Sequence, residues 1–230
     1  NAGTISVDAS DINNPASIPS GIYGVYNDRN AGTNTGTITT LTNTSTITAP
    51  NGVGIYNSGT IGNLSDNSGG LINSGTIGDA DTTTYGIVNN SGNTITNITN
   101  SSGGDIKGTT SGISNSGTIG TITNSGSGSG NVSLYTIGSG VTGVTQNSST
   151  SALTITGTNS STGNTTISSG TVNIANKTYL GSGNITLGGS GTSGTLNITG
   201  GAGASAASSG AITGYIHYFV VDPLGGQQNV

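Results

Sequence analysis

Apolar positions in this chain rarely come in runs. From residue 34 to residue 124 they recur mostly as single isoleucines set between Thr, Ser, Asn and Gly. The clearest form of the unit, NSGTIG, occurs at 57–62, 73–78 and 115–120. Looser copies occupy 34–39 (NTGTIT), 43–48 (NTSTIT), 90–96 (NSGNTIT) and 100–106 (NSSGGDI). Repetition of this kind marks an architecture of stacked units. Each unit reads as a turn followed by a very short strand. Asn and Gly accept positive φ, so Asn-Ser-Gly bends the chain, and Thr-Ile supplies β-branched residues suited to a pleated backbone. One inward Ile cannot make a core, but successive units stacked at the roughly 4.8 Å strand spacing bury a continuous column.

The units start at 34, 43, 57, 73, 90, 100 and 115, too unevenly for a strict hexapeptide helix. Turns of differing length that bulge outward fit an all-β parallel β-helix (β-solenoid), right-handed and almost without α-helix. A second marker, Gly-(Ile/Val)-x-Asn at Gly24, Gly54, Gly86 and Gly112, returns at intervals of 30, 32 and 26. Coils of about 20 to 30 residues give on the order of ten coils and a rod roughly 40 to 50 Å long.

The pattern divides the chain into an N-terminal strand and cap (1–23), irregular NSGTI-type repeats (24–130), regular coils (131–201) and a C-terminal strand and tail (202–230). In the third region 152–156, 165–167, 170–174, 184–187 and 194–198 alternate with period two. The most apolar strand, Ala211 to Val221, carries the chain's single His and single Phe. Tyr215, Ile216, His217, Tyr218, Phe219, Val220 and Val221 are the candidate assembly residues. They either cap the last coil or add as an edge strand to a second copy, joining subunits end to end.

Composition changes this picture in two ways. Ile, Val, Leu and Phe make up 20% of the chain, a level at which disorder competes, but the net charge is only −5 and the apolar positions are periodic, which favours an ordered repeat fold. The basic residues are only Arg29, Lys107 and Lys177, too few to neutralise phosphates, so nucleic acid is excluded as a partner. No apolar run approaches the length of a membrane-spanning helix, and no signal-peptide pattern opens the chain, which reads as a mature or excised piece. Cys, Met and Trp are absent, and the Ser/Thr/Asn/Gly surface suits an extracellular or bacterial cell-surface location.

Candidate chemistry is sparse. The eight acidic residues are all Asp (Asp8, Asp11, Asp28, Asp66, Asp79, Asp81, Asp105, Asp222) and, with His217, they are scattered through turns. No pair stands out for acid–base work, so no catalytic residue and no cofactor is assigned. Asp79 and Asp81, near Asn73 and Thr82 to Thr84, supply too few oxygens for a hard cation, and no residue is assigned to a metal. Tyr26, Tyr56 and Tyr85 recur beside the Gly-(Ile/Val)-x-Asn marker as a partial aromatic ladder, which either packs or contacts a sugar or a neighbouring protein. Thr37-Ile38-Thr39 and Thr46-Ile47-Thr48 match the Thr-x-Thr motif that orders water on ice-binding β-helices. A flat Thr ladder spanning five or more coils would strengthen that reading.

The run LTITGTNSSTGNTTISSGTVNIANKTYLGSGNITLGGSGTSGTLNITGG, Leu153 to Gly201, resembles the passenger-associated transport repeat of bacterial autotransporters. Thr154, Gly157, Asn159, Gly163, Thr165, Thr166, Ile167, Gly170, Thr171 and Val172 fall where that pattern places them. Ser161-Thr162 stands where the pattern has an aromatic residue. The upstream GIYNSGTI units are similar to the repeats of large passenger domains of the same secretion class. The resemblance implies a non-enzymatic, surface-exposed or released β-helix with a structural or adhesive role. It also implies self-association or a cell-surface partner, and an outer-membrane barrel elsewhere in the parent protein.

Overall fold

The computed structural model describes residues 4–6, 23–27, 36–101, 103–125, 132–136, 140–157, 160–188 and 192–198. It also describes three short strands at 212–214, 220–221 and 227–228. Among these residues the chain is a parallel β-solenoid with a single 3-10 turn, Lys177–Leu180. Four ladders of parallel strands run along it, one for each face or corner that a coil visits.

Ladder I stacks β2 (Tyr23–Asn27), β6 (Val53–Asn57), β10 (Tyr85–Asn89), β13 (Ser111–Asn115) and β15 (Val132–Thr136). Ladder II joins β3 (Thr37–Ile38), β7 (Thr60–Ile61) and the first residues of β11 (Thr94–Asn100), β14 (Thr118–Asn124) and β16 (Gly140–Ile155). Ladder III holds β4 (Thr40–Asn43), β8 (Gly70–Asn73), the later residues of β11 and β14, the middle of β16, the start of β17 (Asn164–Ile174), β18 (Ile185–Leu187) and β20 (Ile212–Gly214). Ladder IV holds β1 (Thr4–Ser6), β5 (Thr46–Thr48), β9 (Thr76–Ile77), β12 (Asp105–Ile106), the start of β15, the ends of β16 and β17, and β19 (Gly194–Ile198).

The core is the set of columns these ladders create. Ladder I aligns Val25, Ile55, Ile87, Ile113, Leu134, Ile155, Ile174 and Ile198, the last of which is exposed, and ladder IV aligns Ile5, Ile47, Ile77, Ile106, Val132, Leu153, Val172 and Leu196. Ile55, Ile87, Ile47, Ile77 and Ile106 have no solvent exposure. The Gly-(Ile/Val)-x-Asn marker does set the coil, because Gly24, Gly54, Gly86 and Gly112 sit in stacked strands. Each column has eight rungs among the described residues, fewer than the ten expected. At about 4.8 Å per rung this corresponds to about 34 Å from first to last.

Consecutive NSGTI units do not stack on one another. The copy at 57–62 ends ladder I and begins ladder II, whereas the copy at 73–78 ends ladder III and begins ladder IV. One coil therefore holds two units at two corners, and a unit stacks on the second one along: Ile61 pairs with Ile95, and Ile77 with Ile106. This explains the uneven spacing read from the sequence.

The coil narrows partway along. Between Ile77 on ladder IV and Ile87 on ladder I the chain makes a turn through 78–84, but from β15 onward the two ladders occupy one continuous strand, with Leu153 and Ile155 only two residues apart. Losing that corner shortens the coil from 32 residues (Ile55 to Ile87) to 19 (Ile155 to Ile174) and lengthens the strands, as in β16 with 16 residues.

Candidate functional site

Every outward surface of this molecule is set by what the inward positions require, so the turns come first. At the end of ladder I the side chains of Asn27, Asn57, Asn89 and Asn115 form a column in which each Nδ2 donates to the next Oδ1 at 2.8 Å. A second column ends ladder III: Asn43 to Asn73 at 2.8 Å, Asn73 to Asn100 at 2.8 Å, Asn100 to Asn124 at 3.0 Å and Asn124 to Gln146 Oε1 at 2.7 Å. All nine side chains are buried. Most of these amides also tether their own turns; Asn57 Oδ1 accepts from Gly59 N–H, and its Nδ2 donates to Gly59 O. Gln146 closes the second column by donating to the carbonyls of Ser148 and Ser151, and Ile167 and Leu187 occupy the following rungs.

The repeated Asn is therefore a structural amide and not the positive-φ turn residue expected from the sequence. Among the described non-glycine residues only Asn51 and Asn67 have positive φ. The glycine two residues after Asn57, Asn73 and Asn115 is required for a different reason. A methyl group at Gly59 or Gly75 would overlap the carbonyl oxygen of Gly36 or Ser45 in the coil below.

The aromatic group differs from the expected ladder. Tyr26 and Tyr56 are register partners with stacked rings 5.6 Å apart, but the third member is Tyr23, whose ring lies 4.9 Å from Tyr56 and 5.1 Å from Tyr26. Tyr85 belongs to the other register row, with Val53 and Tyr23, because it begins its strand where Tyr26 and Tyr56 come one residue before the Asn. The three clustered rings are half-buried, and burial, with a smaller contribution from Tyr56, pushes the Tyr23 phenol above its ordinary value. Ser58, Asn90 and Ser116 follow the amide column directly and line one flank of this face.

Ladder III presents a threonine column outward: Thr99, Thr123, Thr145, Thr166 and Thr186, continued in register by Thr213 and preceded by Thr42 and the exposed Ile72. Neither Thr-x-Thr motif singled out in the sequence belongs to it. Thr37 to Thr39 lies at ladder II and Thr46 to Thr48 on ladder IV. The neighbouring outward row reads Thr40, Gly70, Asn97, Thr121, Gly143 and Asn164, so two threonines stand side by side only in some coils. This column was hidden in the sequence because its members are 20 to 30 residues apart and become neighbours only once the register is known.

Charged groups do not converge among the described residues. Asp79 Oδ1 accepts from Asp81 N–H at 2.7 Å and so shapes its own turn, while Asn73, close to it in the sequence, is committed to the amide column. Asp66 Oδ1 accepts from Ser68 N–H at 2.8 Å, and the hydrogen bonds from Ser68 hold its carboxyl below the usual range. Asp105 pairs with Lys107 at 2.8 Å. A shallow groove of about 440 Å3 crosses three coils and is lined by hydroxyls, among them Ser149, Ser169, Thr171, Thr192 and Thr195, with no titratable group in its wall.

Of the candidate assembly residues, Tyr215, Ile216, His217, Tyr218 and Phe219 lie outside the described residues. Val220 and Val221 form β21, which pairs antiparallel with Gln228 and Gln227 of β22 (Gln227–Gln228). The stretch Ala211 to Val221 is thus divided between a solenoid rung at β20 and a separate two-stranded ribbon.

Comparison with known proteins adds no relative: no family model, no curated protein and no solved structure matches this chain.

Proposed function

We propose that the chain is a non-enzymatic β-solenoid with a structural or adhesive role in a bacterial cell-surface or secreted protein, of the kind found in autotransporter passengers. The observation that carries this reading is the chemistry of the outward columns. Threonine hydroxyls stand in register over five coils and two tyrosines stack on adjacent rungs, while the described charges are dispersed and engaged in local turns or in one ion pair. Such a surface offers many weak contacts of one kind along a line, which suits adhesion or scaffolding better than catalysis at a pocket. The glycines of the transport-repeat resemblance have a physical role here: a methyl group at Gly163 or Gly170 would overlap the backbone of Thr142 or Ser148. The test is saturable binding of the fluorescently labelled chain to bacterial and epithelial cells, read by flow cytometry. Binding that an excess of unlabelled chain displaces supports the reading, and no binding to any surface contradicts it.

A second reading, ice binding, is favoured by one observation, the threonine column over five consecutive rungs from Thr99 to Thr186. Thermal hysteresis abolished by Thr145→Tyr would support it. Freezing behaviour equal to that of an inert protein of the same mass would remove it.

A further inference from the structure

Three surfaces are candidates for a ligand: the hydroxyl-lined groove, the threonine column and the tyrosine cluster. The groove is shallow and has no anchoring apolar group, and the column is a periodic row with nothing to mark one end as a site. The tyrosine cluster differs in kind. Aromatic rings are costly to leave half-exposed, and here three of the chain's eight tyrosines meet on the first two rungs of one ladder.

We propose that Tyr23, Tyr26 and Tyr56 form a stacking platform for a neutral glycan, an inference that rests on the adhesive reading above and names its ligand class. The three ring centres form a triangle with sides of 4.9, 5.1 and 5.6 Å, their planes inclined to one another by 30° to 57°, so they make one half-buried aromatic cluster and not three isolated rings. The C–H face of a pyranose is apolar and its equatorial rim is hydroxylated. The cluster offers apolar and hydroxyl groups together: three rings on the first two rungs, Val88 extending the Tyr26–Tyr56 row by one rung, and Ser58 directly after the amide that ends the Tyr56 strand. The strands of ladder I carry no charged residue that could pair with an acidic or basic ligand. A rigid backing also favours binding, because Tyr26 and Tyr56 stand one residue before Asn27 and Asn57, whose amides are locked in the buried column.

The experiment uses the full chain and neutral hexasaccharides of β-1,4-glucose, β-1,4-N-acetylglucosamine and α-1,6-mannose as probes. Calorimetry measures affinity, and intrinsic tyrosine emission, unmasked because the chain lacks tryptophan, reports the site. The expected result is that at least one hexasaccharide binds and alters tyrosine emission. Tyr56→Ala should then weaken binding at least tenfold, with Tyr56→Phe keeping most of it, since stacking needs the ring and not the phenol. Tyr85→Ala, in the other row, should leave binding within twofold. Thermal unfolding of each variant verifies folding. If none of the three hexasaccharides binds to folded protein, or if binding survives Tyr56→Ala, the proposal is overturned. Concentration-dependent dimerisation lost in Tyr56→Ala would also overturn it, identifying the platform as a contact between copies of the chain. Cell binding that persists undiminished in Tyr56→Ala would overturn the platform while leaving the adhesive reading intact.

Discussion

At the residue scale the repeated letters N, G and I do three separate jobs. Asn73 donates to Asn100, to the Gly75 carbonyl and to the Asp105 carbonyl, and it accepts from Asn43. Truncation to alanine removes the amide donor to the buried Asn100 and breaks the column at a buried rung, so Asn73→Ala is expected to cost about 3 kcal/mol, whereas Thr99→Ala on the outward row should cost under about 0.5 kcal/mol. Denaturant unfolding of both variants checks the contrast. Glycines separate in the same way. Gly75→Ala forces a methyl group into the Ser45 carbonyl, while a methyl group on Gly92, at φ 78, would meet nothing within 4 Å and brings only backbone strain. The expected losses are about 3 kcal/mol or more for Gly75→Ala and about 1 kcal/mol for Gly92→Ala. Asp66 supplies a pH effect of known sign. Its folded-state affinity for protons is lowered, so its contribution is present above the ordinary carboxylate range and is lost as pH falls through the lowered value. An NMR titration should place Asp66 below the ordinary carboxylate range, and the Ser68 amide should shift with it.

At the scale of elements, what was legible in the sequence was the strand, the coil length and the parallel stack. Thr-Ile after Asn-x-Gly marks a two-residue strand, and the intervals of 30, 32 and 26 marked the register of ladder I. What was not legible was which unit lies on which. The strings at 57–62 and 73–78 are identical, so nothing local distinguishes a corner between ladders I and II from one between ladders III and IV; only the total length of the coil decides. The tyrosine cluster was partly legible for the same reason. Tyr26 and Tyr56 share a position relative to the Asn, whereas Tyr23 joins them through space and Tyr85 does not. Gln146 was missed because no copy of the repeat surrounds it, yet its longer side chain completes the amide column and reaches Ser148 and Ser151. Isoleucine columns carry most of the element-level stability. Ile98→Ala, at a fully buried rung between Leu71 and Ile122, should destabilise by about 3 to 4 kcal/mol.

At the scale of the whole molecule the narrowing of the coil decides how copies can meet. The N-terminal rungs carry four separate ladders and two amide columns, whereas the C-terminal rungs have ladders I and IV fused and Ile167 and Leu187 in place of the second amide column. An amide rung of one copy would meet an apolar rung of the next, with no amide there to pair with, so the chain is expected to form discrete rods at micromolar concentration. Negative-stain electron microscopy checks this, and long uniform filaments would contradict it. The register itself, from which every surface described above follows, can be tested in a chain that has no cysteine of its own. Facing residues of adjacent parallel strands lie within disulfide range, whereas residues two rungs apart lie about 10 Å from each other and do not. Paired substitutions Thr99→Cys with Thr123→Cys, and Thr145→Cys with Thr166→Cys, should therefore oxidise rapidly to intramolecular disulfides. Thr99→Cys with Thr145→Cys should remain reduced. Rapid closure of the two-rung pair, or none in either adjacent pair, would contradict the solenoid register.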